Sequence, residues 1–141
     1  MPVRLLIVDD HEVVRQGLHA MLGNDPEIAI VAEAEDGQQA LDLARKVRPD
    51  VVLMDVVMPQ LDGIAALAAI RAELPGTRVL VLTSFLDEDR VLAAVRAGAI
   101  GYLLKDTRAE NLRAAIKAAP DAARSALAGG SDPPDARSSG A

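Results

Sequence analysis

The sequence predicts an α/β fold, a doubly wound parallel sheet of five strands with helices on both faces. Three observations predict it. Short apolar runs alternate five times with stretches of helical periodicity. The runs are apolar at nearly every position, as strands covered on both faces require. Gly, Pro, Asn and Asp punctuate the boundaries between runs and helices. Such strand–helix alternation implies parallel pairing with right-handed crossovers.

Each element has its own signal. Val3–Val8 is the first strand. Val13, Val14, Gly17, Leu18, Met21 and Leu22 follow helical spacing, and Gly23-Asn24-Asp25-Pro26 ends that helix. Ile28–Ala32 is the second strand. Asp36-Gly37 turns into a helix over 37–47, with Ala40, Leu41 and Ala44 inward. Pro49-Asp50 precedes the third strand, 51–55. A loop with Met58-Pro59 and Asp62-Gly63 leads to a helix over 63–73, ended by Pro75-Gly76. The strand 79–83, a helix near 88–97, the strand 100–104 and a helix near 108–118 complete the set.

From Pro120 the composition shifts to Pro, Gly, Ser, Asp and Ala, with Leu127 the sole large aliphatic residue. We read 1–119 as one domain and 120–141 as a flexible linker or tail, with no second domain following. Ala122–Leu127 is the stretch able to prolong the last helix or to form a short one. The 141 residues suffice for one core. Phe85 and Tyr102 are the only aromatic residues, so Val, Leu, Ile and Ala must build it. Cysteine is absent, which excludes disulfides and thiolate metal sites and fits a reducing, cytoplasmic setting. No apolar run approaches the roughly 18 residues of a membrane span. A net charge of −6 is poorly suited to holding a nucleic-acid backbone.

The strand ends carry the chemistry. The first strand runs into Asp9-Asp10, the third into Asp55, the fourth into Thr83 and the fifth into Lys105. In parallel strands these groups converge beyond the carboxyl edge of the sheet, where such sheets bind ligands. Most of these residues also have a blander account. Asp9 with Glu12 resembles a capping box. Lys105 is a residue type usually found on the surface, and Thr83 suits a strand. Asp55 resists such an account, because a carboxylate at a buried strand end needs a partner or a cation. Three carboxylates at one pocket repel each other unless a cation binds. Hard oxygen donors without His or Cys suit Mg²⁺, with Mn²⁺ as a substitute.

These residues resemble the receiver domain of two-component response regulators. The matching positions are Asp9-Asp10, Asp55 followed by Met58-Pro59 and Asp62-Gly63, Thr83-Ser84, and Lys105. The likeness covers about 3–119. Val8-Asp9-Asp10-His11-Glu12-Val13-Val14-Arg15 and Gly101-Tyr102-Leu103-Leu104-Lys105-Asp106 look most like the NarL/FixJ (LuxR-type) class. The resemblance implies a flavodoxin-like (CheY-like) sheet of order 2-1-3-4-5.

It also implies roles. Asp55 becomes the phosphoacceptor, receiving a phosphoryl group from a sensor histidine kinase. Asp10, Asp55 and the backbone carbonyl of Val57 hold Mg²⁺, and Asp9 acts through a bound water. Lys105 pairs with a phosphoryl oxygen. Thr83 takes another, and Tyr102 changes exposure as the Thr83 loop moves. Helix 88–97, strand 100–104 and the last helix form the readout face, and a homodimer on phosphorylation is the family's habit. Val57 and Phe85 flank the path of attacking water. Both are apolar here, which predicts slow self-dephosphorylation, although Phe85 also reads as a locally packed loop residue. Many receivers have a cis proline after the lysine. Here Asp106 follows, so no cis peptide is expected and Asp106-Thr107 suggests a cap for the last helix. His11 and His19 receive no catalytic role, and the second strand, ending near Glu33–Glu35, no assigned one.

Class members usually carry a DNA-binding helix-turn-helix domain, which this sequence lacks. DNA would be reached only through it. The alternatives are a stand-alone receiver, acting by protein contacts or as a phosphate sink, and an aspartate-nucleophile phosphatase. The latter group generally has a D-x-D after the first strand, where this chain has adjacent Asp9-Asp10. Dinucleotide binding is weak, because no G-x-G-x-x-G follows that strand.

Overall fold

The computed structural model describes residues 2–55, 63–83 and 88–129, apart from the side chains of 88, 90 and 122–129. Elements alternate throughout: β1 (Val3–Val8), α1 (Glu12–Leu22), β2 (Ile28–Ala34), α2 (Gly37–Val47), β3 (Val51–Met54), α3 (Gly63–Glu73), β4 (Arg78–Thr83), α4 (Glu88–Ala97), β5 (Gly101–Leu104) and α5 (Ala109–Gly129). All pairings are parallel, in the order β2-β1-β3-β4-β5. The expected fold class and order are both present.

Alternating strand residues feed two cores. Leu6, Val8, Val52, Met54, Val79 and Val81 pack with Ala40, Leu41 and Ala44 of α2, Ala66, Leu67 and Ile70 of α3, and Ala94 of α4. Leu5, Ile7, Val51, Leu53, Leu80 and Leu82 pack on the other face with Leu18 and Leu22 of α1 and Leu112, Ile116 and Ala119 of α5. The continuous apolar runs of β1, β3 and β4 exist because these inner strands bury both faces.

Two local findings differ from the periodicity. Val13 stands 79% exposed, while Arg15 is buried on the inward stripe of α1. Apolar spacing alone cannot detect a buried arginine. The last helix passes beyond 118, through Pro120, to Gly129. Ala122–Leu127 therefore prolongs α5. Its earlier turns are tied to the α1–β2 connection: Lys117 Nζ lies 2.9 Å from Asp25 Oδ2, and Arg113 donates to the Met21 carbonyl at 3.0 Å.

Gly98 ends α4 at φ 115°, and a Cβ there would sit 2.8 Å from Arg71 Cγ. Arg71 does not swing aside freely, because it donates to the carbonyls of Pro75 at 2.9 Å and Thr77 at 2.7 Å. Gly98→Ala is expected to cost about 2 kcal/mol through backbone strain and the displaced arginine. Urea denaturation checks this; an unchanged midpoint would contradict the account.

Candidate functional site

The sheet assembles the site. Asp9 follows β1, Asp55 follows β3, Thr83 ends β4 and Lys105 follows β5. Main-chain bonds carry the alignment past the ladders. Asp55 N–H donates to Val8 O at 3.0 Å, Asp9 N–H to Ala34 O at 3.1 Å, and Lys105 N–H to Thr83 O at 2.7 Å. Asp9, Asp55 and Thr83 are all buried. The convergence of Asp9, Asp10, Asp55 and Lys105 is thus a consequence of parallel register, with Thr83 joined to Lys105 through its main-chain carbonyl.

Lys105 supplies a cation to this cluster. Its Nζ donates to Asp55 Oδ2 at 2.9 Å and lies 2.8 Å from Asp9 Oδ2. The blander surface reading fails: the side chain is only 17% exposed. Burial pushes the ammonium toward deprotonation, but its pairing with Asp9 and Asp55 outweighs it and raises its pKa above the ordinary value.

Asp9, Asp10, His11 and Asp55 each offer a donor atom, all within 4.8 Å of one another. Asp9 Oδ2 and Asp10 Oδ1 are buried without a directed hydrogen bond. Their close neighbours are ionic: Lys105 Nζ for the first, and His11 Nδ1, at 3.1 Å, for the second. A lysine shared by two carboxylates does not neutralise three. Buried, under-satisfied oxygens with hard-donor chemistry fit a small divalent cation. His11, with its side chain 66% exposed, stands at the rim.

The capping account of Asp9 is corrected. The N-cap of α1 is His11, and Asp9 Oδ1 accepts its backbone N–H at 2.9 Å. The carboxylate thus closes the turn after β1, leaving Oδ2 for the pocket. Asp106 does not cap α5 either: Leu112 N–H donates to Arg108 O, which puts the cap position at Arg108. The Lys105–Asp106 peptide is trans, as expected.

Comparison with known proteins bears on this site. The family profile "Response regulator receiver domain" matches residues 5–117. The chain belongs to this family. The receiver is 47% identical to the transcriptional regulatory protein LiaR of Bacillus subtilis over 117 residues, 83% of this chain and 56% of LiaR. It is 37% identical to the response regulator VraR of Staphylococcus saprophyticus, over 83% of this chain and 56% of VraR. The chain therefore spans little more than half the length of these relatives. Among solved structures, the receiver domain of NarL from Mycobacterium tuberculosis superposes with a TM-score of 0.81 at 37% identity, covering 85% of this chain and 97% of that one. CheY in the CheX–CheY–BeF3–Mg²⁺ complex of Borrelia burgdorferi has a TM-score of 0.75 at 25% identity, over 82% and 88% of the chains. The NarL/LuxR-type reading of the sequence holds.

Other expected receiver positions are placed unevenly. Tyr102 is 44% exposed on β5, with Leu92 and Val95 of α4 also exposed. Val57 and Phe85 lie outside the described residues, as do Met58-Pro59, Asp62 and Ser84. The sequence reading missed Arg15. Its Nη1 donates to the Asp9 carbonyl at 2.6 Å and its Nε to Glu33 Oε1 at 3.0 Å. Glu33, unassigned from sequence, also meets His19. Its signal was present as a lone arginine on an otherwise apolar helix stripe. Among the described residues no helix is long and apolar enough to cross a membrane.

Proposed function

We propose that this receiver accepts one phosphoryl group on Asp55 from a phosphohistidine of a sensor kinase. The observation that carries the reading is Asp55 buried at the β3 end, with a lysine on one side and acidic oxygens on the other. An Asp55 carboxylate oxygen forms the O–P bond as the P–N bond to the donor imidazole breaks. The electron pair leaves with the imidazole.

Asp10, Asp55 and the Val57 carbonyl would hold Mg²⁺, with Asp9 acting through water; Mn²⁺ has the same donor preference. The Mg²⁺ in the Borrelia burgdorferi CheY complex supports this choice. When bound, the ion neutralises charge in a loose transition state, where positioning and electrostatics dominate. Lys105 then exchanges a carboxylate for a phosphoryl oxygen. Thr83 hydrogen-bonds another, and Tyr102 responds at the α4–β5–α5 face. Phosphorylation biases this two-state element only through contacts that differ between its states.

The output would be transcriptional, through a DNA-binding domain beyond this stretch, because the similar full-length proteins are transcriptional regulators. A phosphorylation-induced homodimer would pair two such domains. No membrane component is required, and the setting would be cytoplasmic.

Acetyl phosphate with Mg²⁺, read by intact mass, tests the acceptor. Self-dephosphorylation should be slow, since neither Val57 nor Phe85 orients water. Phe85→Glu and Val57→Asn should speed phosphoryl decay about tenfold or more; unchanged decay in both variants removes these positions from lifetime control.

A further inference from the structure

We propose that Arg15 is a positioning residue for the cation centre, and that Glu33 holds it there. The inference rests on the Mg²⁺ reading above. Arg15 is buried, although it lies on a surface helix. Its guanidinium is forked between two strand ends, with Nη1 on the Asp9 carbonyl at 2.6 Å and Nε on Glu33 Oε1 at 3.0 Å. Glu33 pairs with Ile7 in the β1–β2 ladder, so its backbone is fixed by the sheet. His19 of the same helix meets the other Glu33 oxygen.

The consequence lies at the Asp9–Asp10 peptide. The carbonyl gripped by Arg15 belongs to the peptide that leads directly into Asp10. Asp9 N–H is held by Ala34 O, Asp9 Oδ1 by His11 N–H and Oδ2 by Lys105, so Arg15 on the carbonyl completes the contacts that fix this residue. Removing the guanidinium frees the peptide to rotate. Asp9 Oδ2 and Asp10 Oδ1, the two buried oxygens without directed hydrogen bonds, would then spread over several positions. Groups that orient metal ligands typically contribute about 10–100-fold to metal affinity.

Charge and geometry predict opposite signs, which makes the idea testable. Coulomb's law alone says that deleting a cation near three carboxylates should tighten Mg²⁺ binding. Positioning says that binding should weaken. Arg15→Lys keeps the charge but loses the fork, because one ammonium does not reproduce the planar two-way contact.

Calorimetric titration of the whole chain with MgCl2 would decide, with circular dichroism and urea midpoints confirming folding. Arg15→Met should weaken binding about tenfold, and Arg15→Lys by an intermediate factor. Unchanged or tighter Mg²⁺ binding in folded Arg15→Lys would overturn the proposal, even if both variants lose stability; that pattern would mean Arg15 only packs α1 against β2. Should Arg15→Met fail to fold, Arg15→Lys alone carries the test. Wild-type protein that binds no Mg²⁺ would instead overturn the cation reading itself, and the positioning role with it. Wild-type binding with unaffected variants would remove only the role of Arg15.

Discussion

Asp55→Asn, incubated with acetyl phosphate and Mg²⁺, is expected to take up no phosphoryl group, whereas the wild-type chain should gain one. An amide oxygen is a poor nucleophile, and the acyl phosphate has no acceptor without the carboxylate. The variant should still fold. Asn is nearly isosteric, and Asp9 still faces Lys105 at the other side of the ammonium. Loss of one buried carboxylate also relieves repulsion with Asp9 and Asp10, so the Mg²⁺-free variant should be no less stable than wild type. The readout is intact mass, with sedimentation to follow any change in assembly. Labelling that survives in Asp55→Asn would remove Asp55 from its role. Turnover of a phosphate ester by the wild type would favour the phosphatase alternative.

Lys105→Met should destabilise the Mg²⁺-free protein by about 2–3 kcal/mol, or lower Tm by about 10 °C. Breaking a buried ion pair usually costs about 3–5 kcal/mol because the partner charge is stranded, and the residual solvent access of Lys105 reduces that figure. Two carboxylates lose this ammonium here, Asp9 and Asp55. Mg²⁺ should narrow the gap, since the variant's carboxylates bind the ion more tightly without the competing ammonium. Because the wild type gains from the ion too, the gap closes by the ratio of the two affinities, about 1.4 kcal/mol for tenfold tighter binding by the variant. The deficit also has a pH signature. The Lys105 pKa is raised on folding, so its contribution is complete below the unfolded lysine value of about 10.4. It is lost as pH rises through the higher folded value. Urea midpoints of wild type and variant should therefore converge only in strong alkali. A gap that neither Mg²⁺ nor alkali narrows would contradict this account of Lys105.

Sheet and helices were legible because each carries its own periodicity. The apolar runs of β1, β3 and β4 admit little but doubly covered strands, and both core faces are built from their alternating residues. The strand ends were legible for a related reason. A carboxylate, hydroxyl or amine directly after a buried strand has nowhere else to go once the strands are parallel. Other features were not local. Asp9 resembled a helix cap, and only the turn geometry shows Oδ1 closing that turn while Oδ2 faces Lys105. Pro120 read as a boundary, yet α5 continues through it.

By itself, then, the amino-acid order determined which segments are strands and helices, which side of the sheet is reactive and which residues stand at its strand ends. Those are consequences of side-chain period and of chain direction. Tertiary structure alone decided how the charges are shared. It set Lys105 between Asp9 and Asp55, buried two acidic oxygens without directed bonds, and brought Arg15 of α1 onto the Asp9 carbonyl with Glu33 of β2 on its other side. These arrangements join residues from elements distant in sequence. Their energies depend on distance and solvent exclusion, which no local pattern encodes.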